Sequence, residues 1–198
     1  MAEQQRIILG IDPGTTILGY GVILVDKKSV HYVDMGVIDL RKEKDHFLKL
    51  SQIFKGVGAI MDRYAPDDLA IEAPFYGKNV QSMLKLGRAQ GAAIAAGLHR
   101  QIPVFEYAPR KVKMAITGRG DASKEQVKLL MEKTLKMSFD NKFLDASDAL
   151  AIAMCHFYQL TSPLTDTASS RNWKSFIDAH PGRVQEGVGC EKKGMKKM

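Results

Sequence analysis

The chain has 198 residues, 45% hydrophobic and 26% charged, so a packed soluble core is expected in one domain or a domain with a tail. Of its formal charge of +7, residues 161–198 supply +3, through seven Lys/Arg against four Asp/Glu. The mildly basic remainder permits a nucleic-acid partner and excludes the cationic coat of a ribosomal-type protein. No run approaches the ~18–20 apolar residues of a membrane span. Cys155 and Cys190 lack the spacing of a zinc ribbon or a disulfide scaffold.

Arg6 to Asp12 reads as a buried strand ending in a carboxylate, and nothing before it reads as a signal peptide, so a cytoplasmic location is expected. Pro13-Gly14 makes a turn, because Pro sets φ and Gly accepts a positive φ after it. Leu18–Val25 and His31–Leu40 follow as strands, and the short connections predict an antiparallel meander. From His46 to Tyr64 the apolar residues Phe47, Leu50, Phe54, Val57, Ile60 and Met61 recur at helical spacing. Asp68–Ala73 is a fourth strand containing a second terminal acid, Glu72, and Val80–Arg100 a helix rich in small residues. Pro103–Tyr107 is a fifth strand, Ser123 caps a helix through Leu135, and Leu144–Leu160 is the last helix of the body. Beyond Thr161 periodicity fades; 161–198 reads as a basic, largely disordered tail, with a possible short helix around 172–178 carrying Trp173, Phe176 and Ile177. The order βββαβαβα with a mixed five-stranded sheet flanked by helices predicts an α/β, ribonuclease H-like architecture over residues 1–160.

Four acids stand apart from the solvated charges. Asp12 follows Ile7-Ile8-Leu9-Gly10-Ile11, Glu72 follows Leu69-Ala70-Ile71, and Asp145 and Asp148 punctuate an otherwise apolar helix. Two acids three apart on a helix share a face. Buried like charges repel unless a cation or protons compensate them. Singly, each has an ordinary explanation: Asp12 capping its turn, Glu72 pairing with Lys78, Asp145 favoured at a helix N-terminus, Asp148 at a solvent edge. Jointly, three segments contributing hard oxygen ligands without His or Cys point to Mg²⁺ or Mn²⁺. Two such ions about 3.5–4 Å apart can activate water and stabilise the leaving oxygen of a phosphodiester.

Residues Ile8 to Gly14 with Gly19-Tyr20-Gly21-Val22 resemble the RuvC family of bacterial Holliday-junction resolvases. So do Ala70-Ile71-Glu72 with Phe75, Lys78-Asn79 and Leu84-Lys85-Leu86-Gly87, and Asp145 through Ala153, in an ordered match from about Arg6 to Leu160. The resemblance implies a homodimeric, Mg²⁺-dependent endonuclease, with two ions per active site, that nicks opposed strands of a four-way junction. Residue by residue, it implies that Asp12, Glu72, Asp145 and Asp148 are catalytic metal ligands and that Phe75 enters the junction. It also implies that Lys113 and Lys124 hold the scissile phosphate or stabilise its developing charge. A branch-migration helicase complex is a further partner in this reading.

Phe75-Tyr76, beside Gly77, sits where stacking on a base and folding back onto the core are both open. Arg110, Lys111, Lys113, Arg119 and Lys124 can follow phosphates, although a charge run is often only solvated, and Lys78 and Lys85 are further DNA-contact candidates. Gly87, Gly91, Ala92, Ala95 and Ala96 make a narrow helix face, suited to packing on the chain's own sheet or to a two-fold dimer contact, and the dimer is favoured. Two other functions compete. Gly10 to Thr16 also resembles the first phosphate loop of actin-like ATPases and sugar kinases, although no second such loop follows. A non-catalytic junction-binding scaffold would need the basic surface and Phe75 but not the acids.

Overall fold

A computed structural model of the chain describes residues 5–27, 29–74, 79–139 and 144–161. The strands β1 (Arg6–Asp12), β2 (Ile17–Asp26) and β3 (Ser29–Asp39) form an antiparallel meander. Strands β4 (Asp68–Glu72) and β5 (Val104–Tyr107) add on the other side of β1, parallel to it, giving the order β3-β2-β1-β4-β5. The mixed five-stranded sheet expected from the sequence is therefore present. The helices are α1 (His46–Tyr64), α2 (Val80–His99), α3 (Pro109–Thr117), α4 (Lys124–Leu135) and α5 (Leu144–Thr161). None of the described helices is long and apolar enough to cross a membrane. The expected tail helix, with Trp173, Phe176 and Ile177, lies outside the described residues.

The period-two alternation of the central strands divides the core into two layers. Leu9 and Ile11 on β1 and Leu69 and Ile71 on β4 pack with Ile53, Val57 and Met61 of α1 and Ala89, Ala93 and Ala96 of α2. Ile8 and Ala70 point the other way, into a cluster with Leu150 to Cys155 of α5, Val112 of α3 and Val127 and Met131 of α4. Covered by the sheet below and by α3 and α4 above, α5 is buried over most of its circumference. That explains why its sequence is apolar all round rather than striped.

Glycine decides how closely α5 approaches. A Cβ at Gly10 would lie 2.1 Å from the Ala149 carbonyl oxygen, and one at Gly19 2.1 Å from the Asp145 carbonyl oxygen. No side chain larger than hydrogen is compatible with that contact. The α5 backbone rests directly on β1 and β2.

Local capping chemistry explains most helix boundaries. Asp45 accepts from the Leu48 N–H, and Asn79 accepts from that of Ser82. Ser123 and Gln126 form a reciprocal capping box at α4, at the residue expected to start it. Helix α3 is not predicted from the sequence, where Arg110 to Lys113 reads as a charge run between β5 and α4. Pro109 opens it at the first helical turn, where the missing N–H costs nothing, and Gly118 closes it at φ 73°.

The small-residue face of α2 divides. Ala96 is buried against the sheet and Ala92 partly so, whereas Gly91 and Ala95 face outward. A Cβ at Gly87 or Gly91 would meet nothing within 4 Å. Gly87, Gly91 and Ala95 thus do not pack on the chain's own sheet.

The opposite end of β4 carries another buried acid. Asp68 is fully buried, accepts from Arg6 Nη2 at 2.9 Å, and lies 3.2 Å from His156 Nε2. His156 Nδ1 is in turn 2.6 Å from the Tyr107 hydroxyl. This acid is compensated by the Arg6 guanidinium, with the His156 ring beside it.

Candidate active site

The site follows from strand register. β1 and β4 are parallel neighbours whose last matched pair is Ile11 with Ile71. The next residues, Asp12 and Glu72, stand side by side at the carboxyl ends of two strands, on the face that carries α5. Asp12 also pairs across the antiparallel ladder with Gly19, where the Asp145 backbone is seated. The first turn of α5 is therefore delivered onto Asp12, and Asp148, one turn later, projects from the same face.

Carboxylate oxygens of Asp12, Asp145 and Asp148 lie within 4.8 Å of one another. Glu72 falls outside this tight group but lines the same cleft. The cleft, about 360 Å³, is bounded by Asp12, Glu72, Asp148, Lys113, Lys124, Pro109, Val112, Val127 and Ala151. A larger hollow of about 510 Å³, between β3 and the end of α4, is lined by no carboxylate and has no comparable chemistry.

The electrostatics are those of an anionic site short of positive charge. Burial, reinforced by Glu72 and Asp148, pushes the Asp12 carboxyl up to about 8. Burial, then Asp148, pushes Glu72 up to about 7, with Lys124 and Lys113 acting the other way. Lys124 donates to Asp148 Oδ2 at 2.5 Å, and that hydrogen bond holds its ammonium above the usual lysine range. One lysine contact leaves two acids resisting ionisation. Four oxygen-bearing side chains without His or Cys match a hard divalent cation, so the residues fit the metal expected from the sequence.

The remaining sequence candidates are placed as follows. Lys113 on α3 and Lys124 at the start of α4 reach the cleft. Arg110 and Lys111 are exposed at the start of α3, and the Lys111 ammonium lies 5.3 Å from the Tyr107 ring centroid. Arg119 is engaged with Asp121 at 3.1 Å in an exposed pair, a contact of small worth that a phosphate can replace. Lys85 is exposed on α2. Phe75, Tyr76 and Lys78 lie outside the described residues.

The sequence reading did not single out the wall made by Pro109, Val112, Val127 and Ala151. Pro109 followed by a helical spacing was the available signal.

A family profile described as crossover junction endodeoxyribonuclease RuvC matches residues 8–156. The chain is 55% identical over 184 residues to the RuvC of Bacteroides fragilis, covering 92% of this chain and 97% of that one. It is 52% identical over 184 residues to that of Christiangramia forsetii, covering 92% and 95%. Among solved structures, Thermus thermophilus RuvC superposes with a TM-score of 0.70 at 32% identity, covering 78% of this chain and 95% of that one. The same protein in complex with a Holliday junction substrate gives 0.72 at 31%, covering 78% and 94%. With the profile spanning both strand-end acids and both acids of α5, the chain belongs to the RuvC family of crossover junction endodeoxyribonucleases.

Proposed function

We infer that this chain is a structure-selective endonuclease that resolves four-way DNA junctions in recombination and repair, by paired hydrolytic nicks on opposed strands. The observation that carries the reading is the convergence of Asp12, Asp145 and Asp148 beside Glu72, in a member of a family of crossover junction nucleases. The related Thermus thermophilus protein bound to a Holliday junction supports the choice of substrate.

Asp12, Glu72, Asp145 and Asp148 are the residues that would hold Mg²⁺, or Mn²⁺ in its place, at two ions per site. When bound, such ions lower the pKa of a water and offset charge at the leaving oxygen. Burial favours the protonated forms of Asp12 and Glu72, and these protons would be given up to hold a cation. Lys113 and Lys124 hold the scissile phosphate, and the Lys124 ammonium, released from Asp148, stabilises its developing charge. Lys85, Arg110, Lys111 and Arg119 follow flanking phosphates, which position the duplex without reading its sequence. Phe75, shortly after β4 in the chain, is the residue assigned to the crossover, with Tyr76 and Lys78 beside it as further DNA contacts.

Two opposed nicks need two active sites, which a two-fold dimer supplies with one interface. Val80, Leu84 and Leu98 are more than half exposed on α2, and with Gly87, Gly91 and Ala95 they recur at helical period along one face. That face suits close approach of a second copy of α2. A Gly91→Arg variant should sediment as a monomer, and a variant that remains dimeric removes α2 from the interface.

The decisive experiment compares a synthetic four-way junction with linear duplex of the same sequence, with and without Mg²⁺. Cleavage of the junction alone, only with metal, is expected. Equal cutting of both substrates overturns the structural selectivity. The location consistent with this reading is the cytoplasm.

A further inference from the structure

Gln90 is the polar exception on the sheet-facing side of α2. Its neighbours there are Ala89, Ala93, Ala96 and Gly97, and it is itself only 6% exposed. Its Nε2 donates to the backbone carbonyl of Glu72 at 3.2 Å and to Glu106 Oε1 on β5 at 2.8 Å. The β1–β4 ladder ends at Ile11 with Ile71. The Glu72 carbonyl lies one residue past that pairing and accepts from a helix side chain, while Glu72 itself stays in register with Tyr107 of β5.

We propose that Gln90 is a positioning residue for Glu72. Its amide, oriented by Glu106, pins the carboxyl end of β4 at the height where the Glu72 side chain enters the cleft, and so ties α2 to the site. The inference rests on the reading of Glu72 as a metal-binding acid. The same helix begins just after the segment containing Phe75 and bears the outward face assigned to the second copy.

The physical argument is one of replacement. An apolar side chain at position 90 takes that donor from a half-buried carbonyl, and the chain relaxes by moving the strand end. Small misplacements of catalytic groups cost rate far out of proportion to stability. Hydrogen-bond partners of metal ligands carry about 10- to 100-fold in affinity or activity.

The test uses Gln90→Met in the full chain, with four measurements: kcat and KM on a four-way junction, Mn²⁺ affinity by electron paramagnetic resonance, and folding by circular dichroism. The expected result is about a tenfold fall in kcat with KM unchanged, and weaker Mn²⁺ binding in a folded protein. A folded Gln90→Met protein with parental kcat and parental Mn²⁺ affinity overturns the proposal. If Gln90→Met fails to fold, Glu106→Leu at an exposed position removes the group that orients the amide. A smaller fall in kcat with the same unchanged KM then supports the proposal, and parental kcat overturns it. Glu72→Gln run alongside separates the two readings. Parental cutting by Glu72→Gln removes the metal-site assignment itself, whereas an inactive Glu72→Gln beside a parental Gln90→Met removes only the role of Gln90.

Discussion

Lys124 Nζ lies 2.5 Å from Asp148 Oδ2, so one protein cation already sits among the acids of the cleft. The pair joins the first residue of α4 to α5, and its lysine is 61% exposed at the side chain, free to swing toward a phosphate. Lys124→Met is expected to lower the cleavage rate by about 100- to 1,000-fold, the range for losing one preorganised donor to developing charge. Junction affinity should change little, since one phosphate contact among many is lost. A rate at the parental level in single-turnover assays removes Lys124 from the chemistry.

Asp12→Asn and Glu72→Gln keep side-chain volume while removing a carboxylate charge from the cleft. Both should bring cleavage to the assay background in Mg²⁺ while preserving binding of a four-way junction in gel-shift experiments. Parental cutting by either variant would falsify its assignment as a metal-binding acid.

The raised acids make stability depend on pH with a definite sign. Asp12 and Glu72 bind protons more tightly folded than unfolded, so between about pH 4.5 and 8 the metal-free protein loses stability from these groups as pH rises. Burial holds the His156 ring below its ordinary pKa, which acts oppositely and only toward acid pH. His156 lies with Asp68 and Tyr107 rather than in the cleft, so added Mg²⁺ isolates the site. The rise in Tm on adding Mg²⁺ should be small at pH 5 and larger at pH 8, because protonated acids compete with the ion. An increment that does not grow with pH in differential scanning fluorimetry contradicts the electrostatic account.

Close seating of α5 should be testable without touching an acid. Gly10→Ala places a Cβ 2.1 Å from the Ala149 carbonyl oxygen, backbone that cannot yield locally. A loss of about 2–4 kcal/mol in urea unfolding is expected, with reduced cleavage because Asp145 and Asp148 ride on the displaced helix. Stability within about 0.5 kcal/mol of the parent, the scale of an ordinary surface change, would show that α5 is not held against β1 as described.

Much of this protein was decided by local sequence. The apolar runs ending in Asp12 and Glu72, the spacing of Asp145 and Asp148, and the N-cap at Ser123 are short-range patterns, legible because strand and helix periods are. Local pattern separated Asp12, which follows its apolar run, from Asp68, which precedes one, but did not show what either acid meets. Both are acids at the ends of apolar strands, yet one meets Asp145 and Asp148 while the other meets Arg6 and His156. Nor did it show that α2 turns Ala93 inward and Gly91 outward, that Lys85 points away from the sheet, or that Gln90 reaches the Glu72 carbonyl. Those outcomes depend on register between strands far apart in the chain and on a helix fitting the space left by missing side chains at Gly10 and Gly19. Composition and period specify which face of an element is apolar, but only packing specifies which partner that face meets, and here the partner separates an acid paired with Arg6 from one clustered with other acids.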